Sequence, residues 1–245
     1  VVISFQIIRR KQLPFTFSKQ YIRLEKTIVA TELRLGAPVA LQELLVGISF
    51  LLIQAIVNSF GVVPSAGIGV AEKVCAFIML VPSAYMQSMS AFVAQNMGAE
   101  NPHRAKKALG YGIATSLAAG VVLACLTFFH GTWMASIFSN DAAVIAAAYS
   151  YLKAYAIDCM LTPLLFCFMG YYNGCEKTLF VMLQGMIGAF CVRIPVAFLV
   201  SRMAGATLFQ IGLATPASTC VQIALCLGLF VWLEKCHAKQ LSTSV

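Results

Sequence analysis

The sequence carries unusually little charge. Only 11% of its 245 residues are charged, against about a quarter in a typical soluble domain, whereas 60% are hydrophobic and the mean hydropathy is +0.85. This excludes both a disordered chain and a soluble enzyme with a conventional core. A hydrocarbon layer of about 30 Å needs roughly 20 apolar residues per helix. The composition therefore predicts an all-α membrane protein, a bundle of six transmembrane helices.

The sequence also lacks the motifs of most chemistry-bearing sites. It contains no P-loop, no HExxH zinc motif, no TVGYG filter and no CxxC among its nine cysteines. We therefore expect no enzyme, no catalytic residues, no metal site and no cofactor. Any pumping by this chain would draw on an ion gradient rather than on ATP.

Six apolar runs divide the chain. They lie at roughly 38–60, 66–94, 109–129, 142–171, 178–200 and 209–233. Residues 36–235 are therefore predicted to form a six-helix transmembrane lobe. We expect residues 1–8 to be the end of a truncated preceding helix, 9–35 a cytoplasmic linker and 236–245 a cytoplasmic tail. Prolines at 82, 163, 195 and 216 predict interrupted helices.

Basic residues predict the orientation. Seven of the 17 Lys and Arg residues precede residue 35, three lie at 104–107, and Lys235 and Lys239 are near the end. Clusters beside apolar runs follow the positive-inside rule. We expect a multi-pass plasma-membrane protein with the linker and C-terminus cytoplasmic, in contact with lipid and without a nucleic-acid partner.

Five ionisable residues fall within the predicted spans, where an unpaired charge costs several kcal/mol. They are Glu43, Glu72, Lys73, Asp158 and Arg193. The carboxylates Glu43 and Asp158 are the strongest functional candidates. Glu72, Lys73 and Arg193 have opposite signs at similar depth, so the sequence allows either mutual charge pairing or a transport role.

Polar and aromatic residues share helical faces with these carboxylates. Glu43, Phe50, Gln54 and Asn58 lie on one stripe of the first span, and Tyr155, Asp158 and Thr162 on one face of the fourth. Such stripes predict a water-filled cavity or a contact with a second protein lobe. The candidate cavity-lining residues are Phe50, Gln54, Asn58, Tyr155 and Thr162. Interhelical hydrogen bonding is the alternative for Gln54, Asn58 and Thr162.

The turn after the second span carries a recognisable motif, in which Gln95 and Asn96 are followed by Gly98 and Arg104. We expect Gln95 and Asn96 to cap the helix end and Gly98 to supply a left-handed turn at the cytoplasmic surface. The segment 91–106 resembles the turn signature of the multidrug and toxic compound extrusion (MATE) family. Residues 35–42 and 171–174 resemble the start of that family's seventh helix and the turn after its tenth.

The resemblance implies a twelve-helix antiporter of two six-helix lobes, of which this chain is the C-terminal one. Its partner would be the N-terminal lobe, and it would export cationic or amphipathic organic compounds by alternating access against sodium or proton flow. Glu43 matches the acidic seventh-helix region used for cation coupling. Asp158 lies in the tenth helix, about a turn from the position that other members use.

Two other functions stay open at this point. One is a flippase of lipid-linked oligosaccharide from the same broad superfamily, with Lys73, Lys153 and Arg193 meeting a pyrophosphate. The other is a non-transporting truncated product or scaffold that only binds other membrane subunits.

Overall fold

The computed structural model describes residues 25–243, and side chains as far as residue 236. The described part is helical without strands. Its helices are α1 Lys26–Asn58, α2 Val62–Ile78, α3 Leu80–Gly98, α4 Pro102–Ser136, α5 Ala142–Gly174, α6 Thr178–Met186, α7 Ile194–Ser201, α8 Leu208–Gly212 and α9 Ala214–Thr243. A π-helical segment, Ile187–Arg193, joins α6 to α7.

The six predicted spans are confirmed. Helices long and apolar enough to cross a membrane cover Lys26–Asn58, Val62–Gly98, Pro102–Ser136, Ala142–Gly174, Thr178–Ser201 and Leu208–Cys236. Most extend beyond the apolar runs because a helix continues past the hydrocarbon layer once it has formed.

The predicted segment boundaries meet the structure only in part. Residues 1–8 and most of the linker 9–35 lie outside the described residues, but helix α1 already begins at Lys26, within the predicted linker. The bundle belongs to one compact unit that begins at Leu35. The predicted tail 236–245 continues helix α9 to Thr243.

Three of the four mid-span prolines coincide with interruptions. Pro82 follows the break at Met79, Pro195 follows the π-helical segment, and Pro216 follows the break at Leu213. A proline cannot donate a hydrogen bond and clashes with the carbonyl four residues earlier, so the preceding turn is disrupted. At Pro163, by contrast, α5 continues unbroken, because neighbouring helices pack around it and hold that turn helical.

Helix α5 is the centre of the bundle. About two thirds (67%) of its most apolar window is buried, and α2, α3, α4, α8 and α9 pack against it. The outer surface is apolar, with Leu51 70% exposed, Phe129 70% and Tyr111 74%. An apolar core and an apolar exterior together are what a lipid environment requires.

Small residues let α4 approach α5 closely. The buried positions of α4 include Ser116, Gly120, Ala124 and Thr127, which form one stripe along the helix. Without a hydrophobic driving force between helices in lipid, close backbone contact supplies the packing energy. This contact fixes the position of the helix that carries Asp158.

Candidate functional site

A cavity of about 410 Å³ opens between α1, α2, α5, α9 and the π-helical segment. Three carboxylates line it, one each from α1, α2 and α5: Glu43, Glu72 and Asp158. The π-helical segment contributes Arg193. Four charged side chains from four parts of the chain therefore face one space.

Helix α5 supplies one wall through side chains on a single face. Tyr151, Tyr155, Asp158 and Thr162 are spaced by four, three and four residues, and all line the cavity. Asp158 is 1% exposed, and its Oδ2 accepts a hydrogen bond from Thr162 Oγ1 at 2.9 Å. Its Oδ1 has no hydrogen-bond partner among the described residues. The carboxylate thus keeps one free oxygen.

Helix α1 supplies the facing wall. Gln42, Glu43, Val46 and Phe50 line the cavity at intervals that keep them on one side of the helix. Glu43 is an exposed side chain, whereas Gln42 is buried. The structure therefore brings Glu43, Phe50, Tyr155, Asp158 and Thr162 together around the same space.

Arg193 enters the cavity from the last position of the π-helical segment. It is 6% exposed, its Nη1 donates to Ser49 Oγ at 3.2 Å, and its guanidinium lies 4.6 Å from the centre of the Phe50 ring. The wide π turn ends just before Pro195, and such turns occur often at functional sites. Helix α1 thus holds the cationic group by a hydrogen bond and a cation–π contact.

The expected charge pairing between Glu72, Lys73 and Arg193 does not form. The one ion pair within 4 Å among the described side chains joins Lys106 Nζ to Glu234 Oε1 at 2.6 Å. Lys73 is exposed and is absent from the cavity lining, whereas Arg193 is held by α1 instead. Glu72 lines the cavity, but its carboxylate forms no ion pair within 4 Å with Lys73 or with Arg193.

Gln54 and Asn58 lie elsewhere. Gln54 Nε2 donates to Ser65 Oγ at 3.0 Å and to Asn58 Oδ1 at 3.2 Å, and Ser65 Oγ donates to Asn58 Oδ1 at 2.6 Å. Neither residue is part of the cavity lining described above. They share the stripe of Glu43, but at this depth the neighbour is the first turn of α2. Their side chains form hydrogen bonds to each other and to Ser65, and so link α1 to α2.

Helix α9 supplies a wall that sequence reasoning missed. Thr215, Thr219 and Gln222 line the cavity, and Thr215 Oγ1 is buried without a hydrogen-bond partner among the described residues. Their spacing of four and three residues places them on one face of the helix. The spacing of these three residues was readable in the sequence. Threonine and glutamine are uncharged, however, so they did not stand out as candidates beside the ionisable residues of the spans.

The turn motif closes the end of α3 in a different way from that expected. Gly98 is the last helical residue, and the left-handed residue is Glu100, with φ 54°. The expectation for Gly98 was wrong because Gly98 still belongs to the helix and the left-handed residue comes two positions later. Asn101 N donates to Asn96 O at 2.9 Å and Glu100 N to Met97 O at 3.1 Å. These two bonds define a Schellman motif.

The polar side chains of this turn motif make different contacts. Asn96 is buried and its Nδ2 donates to Phe92 O at 2.7 Å, whereas Gln95 is exposed. Asn101 Oδ1 accepts from the Arg104 backbone at 3.3 Å and so caps α4. The Arg104 guanidinium lies 5.5 Å from the centre of the Phe92 ring. The motif is a helix–turn–helix closure away from the cavity.

A second Schellman turn ends α5 in the same way. Glu176 has φ 58°, Lys177 N donates to Tyr172 O at 2.8 Å, and Glu176 N donates to Asn173 O at 3.1 Å. In both turns a glycine is the last helical residue and a glutamate follows two positions later, Gly98 with Glu100 and Gly174 with Glu176. This repeated Gly-x-Glu pattern was readable in the sequence but unexpected, because glycine usually takes the left-handed position itself.

No group of three or more His, Cys, Asp or Glu side chains suited to a metal ion occurs among the described residues. The unpartnered oxygens Asp158 Oδ1 and Thr215 Oγ1 belong to side chains that line one cavity. Oxygen atoms of this kind are the ligands that hard cations take.

Comparison with known proteins shows similarity to bacterial multidrug proteins. The chain is 24% identical over 233 residues to the probable multidrug resistance protein YoeA of Bacillus subtilis, covering 93% of this chain and 50% of that protein. It is 26% identical over 220 residues to the multidrug export protein MepA of Staphylococcus saprophyticus, covering 88% and 48%. The chain spans about half the length of these curated relatives.

Solved structures show the same fold. A MATE protein crystallised in complex with MaL6 superimposes with a TM-score of 0.82 at 12% identity, covering 94% of this chain and 52% of that one. An outward-facing multidrug resistance MATE transporter of the MOP superfamily gives 0.73 at 16% identity, with coverage of 83% and 44%. The family model described as MatE matches residues 38–199. The chain therefore belongs to the MatE family, whose members are membrane transporters and not enzymes.

Proposed function

We propose that the chain forms one lobe of an alternating-access antiporter that exports amphipathic or cationic organic compounds in exchange for sodium ions or protons. The observation that supports this most directly is the shared cavity of Glu43, Glu72 and Asp158 with the rings of Phe50 and Tyr155. Carboxylates attract cations strongly where the dielectric constant is low, and aromatic faces bind organic cations.

In this proposal Glu43 and Asp158 bind the coupling ion. Asp158 offers a free Oδ1 beside the cavity, and Thr215 offers a free Oγ1. The same oxygens suit a sodium ion, and the carboxylate alone suits a proton. The rings of Phe50 and Tyr155 would take the apolar and aromatic parts of the exported compound.

A second six-helix lobe completes the proposed transporter. The relatives named as multidrug proteins are about twice as long as the matched region, which supports a partner lobe of similar size. The contact between Lys106 and Glu234 places the start of α4 and the last turns of α9 on the same side of the bundle. That agrees with a cytoplasmic position for both in the plasma membrane.

Efflux measurements on carboxylate variants test this function. In cells expressing the full-length protein, Glu43→Gln and Asp158→Asn should each reduce gradient-dependent efflux of a fluorescent organic cation at least tenfold. Glu32→Gln is the matched control, since Glu32 is an exposed carboxylate on the same helix α1. Efflux at the wild-type rate in both cavity variants would refute the proposed roles of Glu43 and Asp158.

The flippase alternative receives less support. A pyrophosphate requires several cationic groups, but Arg193 is the one basic residue in the lining of the described cavity, and Lys73 and Lys153 are not part of it. Vesicle transport assays separate the two functions. One assay measures efflux of a fluorescent organic cation, and the other measures movement of a lipid-linked oligosaccharide between the two leaflets of the bilayer. Movement of the oligosaccharide alone would favour the flippase.

A further inference from the structure

Arg193 and Asp158 are buried side chains of opposite charge that form no ion pair with each other. Both side chains line the cavity, with 6% and 1% exposure, yet no nitrogen of Arg193 lies within 4 Å of an Asp158 oxygen. Buried charges are ordinarily paired directly, because each unpaired one costs several kcal/mol. Here the two charged groups border the same cavity without forming an ion pair.

Each partner also keeps unused hydrogen-bonding capacity. Arg193 Nε and Asp158 Oδ1 are both buried without hydrogen-bond partners among the described residues. Arg193 is instead retained on α1, by Ser49 Oγ at 3.2 Å and the Phe50 ring at 4.6 Å. Two side chains that line one cavity therefore each keep a buried polar atom without a partner.

The guanidinium also lies against an aromatic ring of the cavity, the kind of surface that binds organic cations. Its contact with Phe50 is a cation–π contact on one of the aromatic rings that line the cavity with the carboxylates. An organic cation that stacks on the same face of Phe50 must displace the guanidinium. Arg193 is thus a cation already attached to the cation site.

Building on the proposed function, we propose that Arg193 is a tethered counter-cation that competes with entering cations for Asp158 and for the face of Phe50. A positive charge several ångströms from the site lowers its affinity for another cation on the order of 10- to 100-fold at an effective dielectric constant of about 20. This weakening allows the cavity to release its ion as well as bind it. Arg193 is then a positioning residue that sets affinity.

Two variants should move cation affinity in opposite directions. Arg193→Gln removes the competitor, so cations should bind about 10- to 100-fold more tightly. Ser49→Ala removes the hydrogen bond that retains Arg193 on α1, which frees it to approach Asp158, so cations should bind severalfold more weakly. A purely structural role for Arg193 would weaken binding in both variants.

The test is a titration of the purified full-length protein with tetraphenylphosphonium and, in a separate arm, with sodium ions. Dissociation constants are measured by calorimetry for wild type, Arg193→Gln, Arg193→Lys, Ser49→Ala and Asp158→Asn. Arg193→Lys should keep nearly the wild-type constants. Arg202→Gln is the matched control, because the guanidinium of Arg202 stacks on Phe198 at 4.9 Å but lies outside the cavity lining.

The outcomes distinguish a failure of the proposed competition by Arg193 from a failure of the proposed transport function. Unchanged or weaker cation binding in Arg193→Gln, with binding reduced in Asp158→Asn, would overturn the tethered counter-cation and leave the proposed function intact. Wild-type cation binding in Asp158→Asn would instead overturn the proposed role of Asp158. Should Arg193→Gln not fold, Ser49→Ala decides, since unchanged affinity there also refutes the competition.

Discussion

Replacing Gly120 by alanine tests the close contact between α4 and α5. A Cβ atom at this position would lie 2.6 Å from the Cys159 carbonyl oxygen and 2.7 Å from Pro163 Cγ. A backbone carbonyl and a proline ring yield little, and both belong to the central helix. The substitution therefore pushes α4 away from the turn of α5 that carries Asp158.

The expected magnitude follows from a comparison with Gly110 on the same helix. Gly110 is exposed and an added Cβ would meet nothing within 4 Å, so Gly110→Ala should gain about 1 kcal/mol of helix stability. Gly120→Ala has the same gain but adds an overpacking cost of about 1–3 kcal/mol. The difference in unfolding free energy between the two variants isolates the cost of the contact.

Equilibrium unfolding in mixed micelles measures both variants. Gly120→Ala should unfold at lower denaturant than Gly110→Ala, by the equivalent of about 1–3 kcal/mol. It should also bind cations more weakly, because the wall that contains Asp158 shifts. Equal unfolding free energies for the two variants would show that the bundle absorbs the added methyl group and that the contact does not constrain the cavity.

Two further predictions concern the turns and the cavity thiol. Glu100→Gly and Glu176→Gly should each stabilise the protein by up to about 1 kcal/mol in the same unfolding assay, because a left-handed backbone is less costly for glycine. A loss of stability would instead mean that the glutamate side chains stabilise these turns. With the other cysteines replaced, a small water-soluble thiosulfonate should modify Cys75, which lines the cavity, much faster than the fully buried Cys226, and tetraphenylphosphonium should slow the reaction. Equal rates at the two cysteines would contradict the cavity described here.

Much of the fold was predictable because lipid imposes a simple length rule. Six runs of about 20 apolar residues have no alternative to helices, and the structure has six such helices. The same-face spacing of Tyr155, Asp158 and Thr162 was equally readable, because helical geometry alone places them together. Local periodicity fixes which side of a helix is polar.

Periodicity does not fix what lies opposite that side. Gln54 continues the stripe of Glu43, but the first turn of α2 is its neighbour there, so it bonds to Ser65 instead of facing the cavity. The contact of Arg193 with Ser49 joins residues 144 positions apart and depends on tertiary packing. Nothing in the local sequence of either residue specifies that contact.

The seven-residue π segment has a consequence for comparing relatives. Its hydrogen bonds span five residues where an α-helix spans four, so the wider coil stores extra chain without adding height. A relative that crosses this depth as an unbroken α-helix needs fewer residues to do so. In an alignment with such a protein, the relative requires a gap opposite position 190 or so of this chain. A gapless alignment would match Arg193 with a side chain that points in another direction.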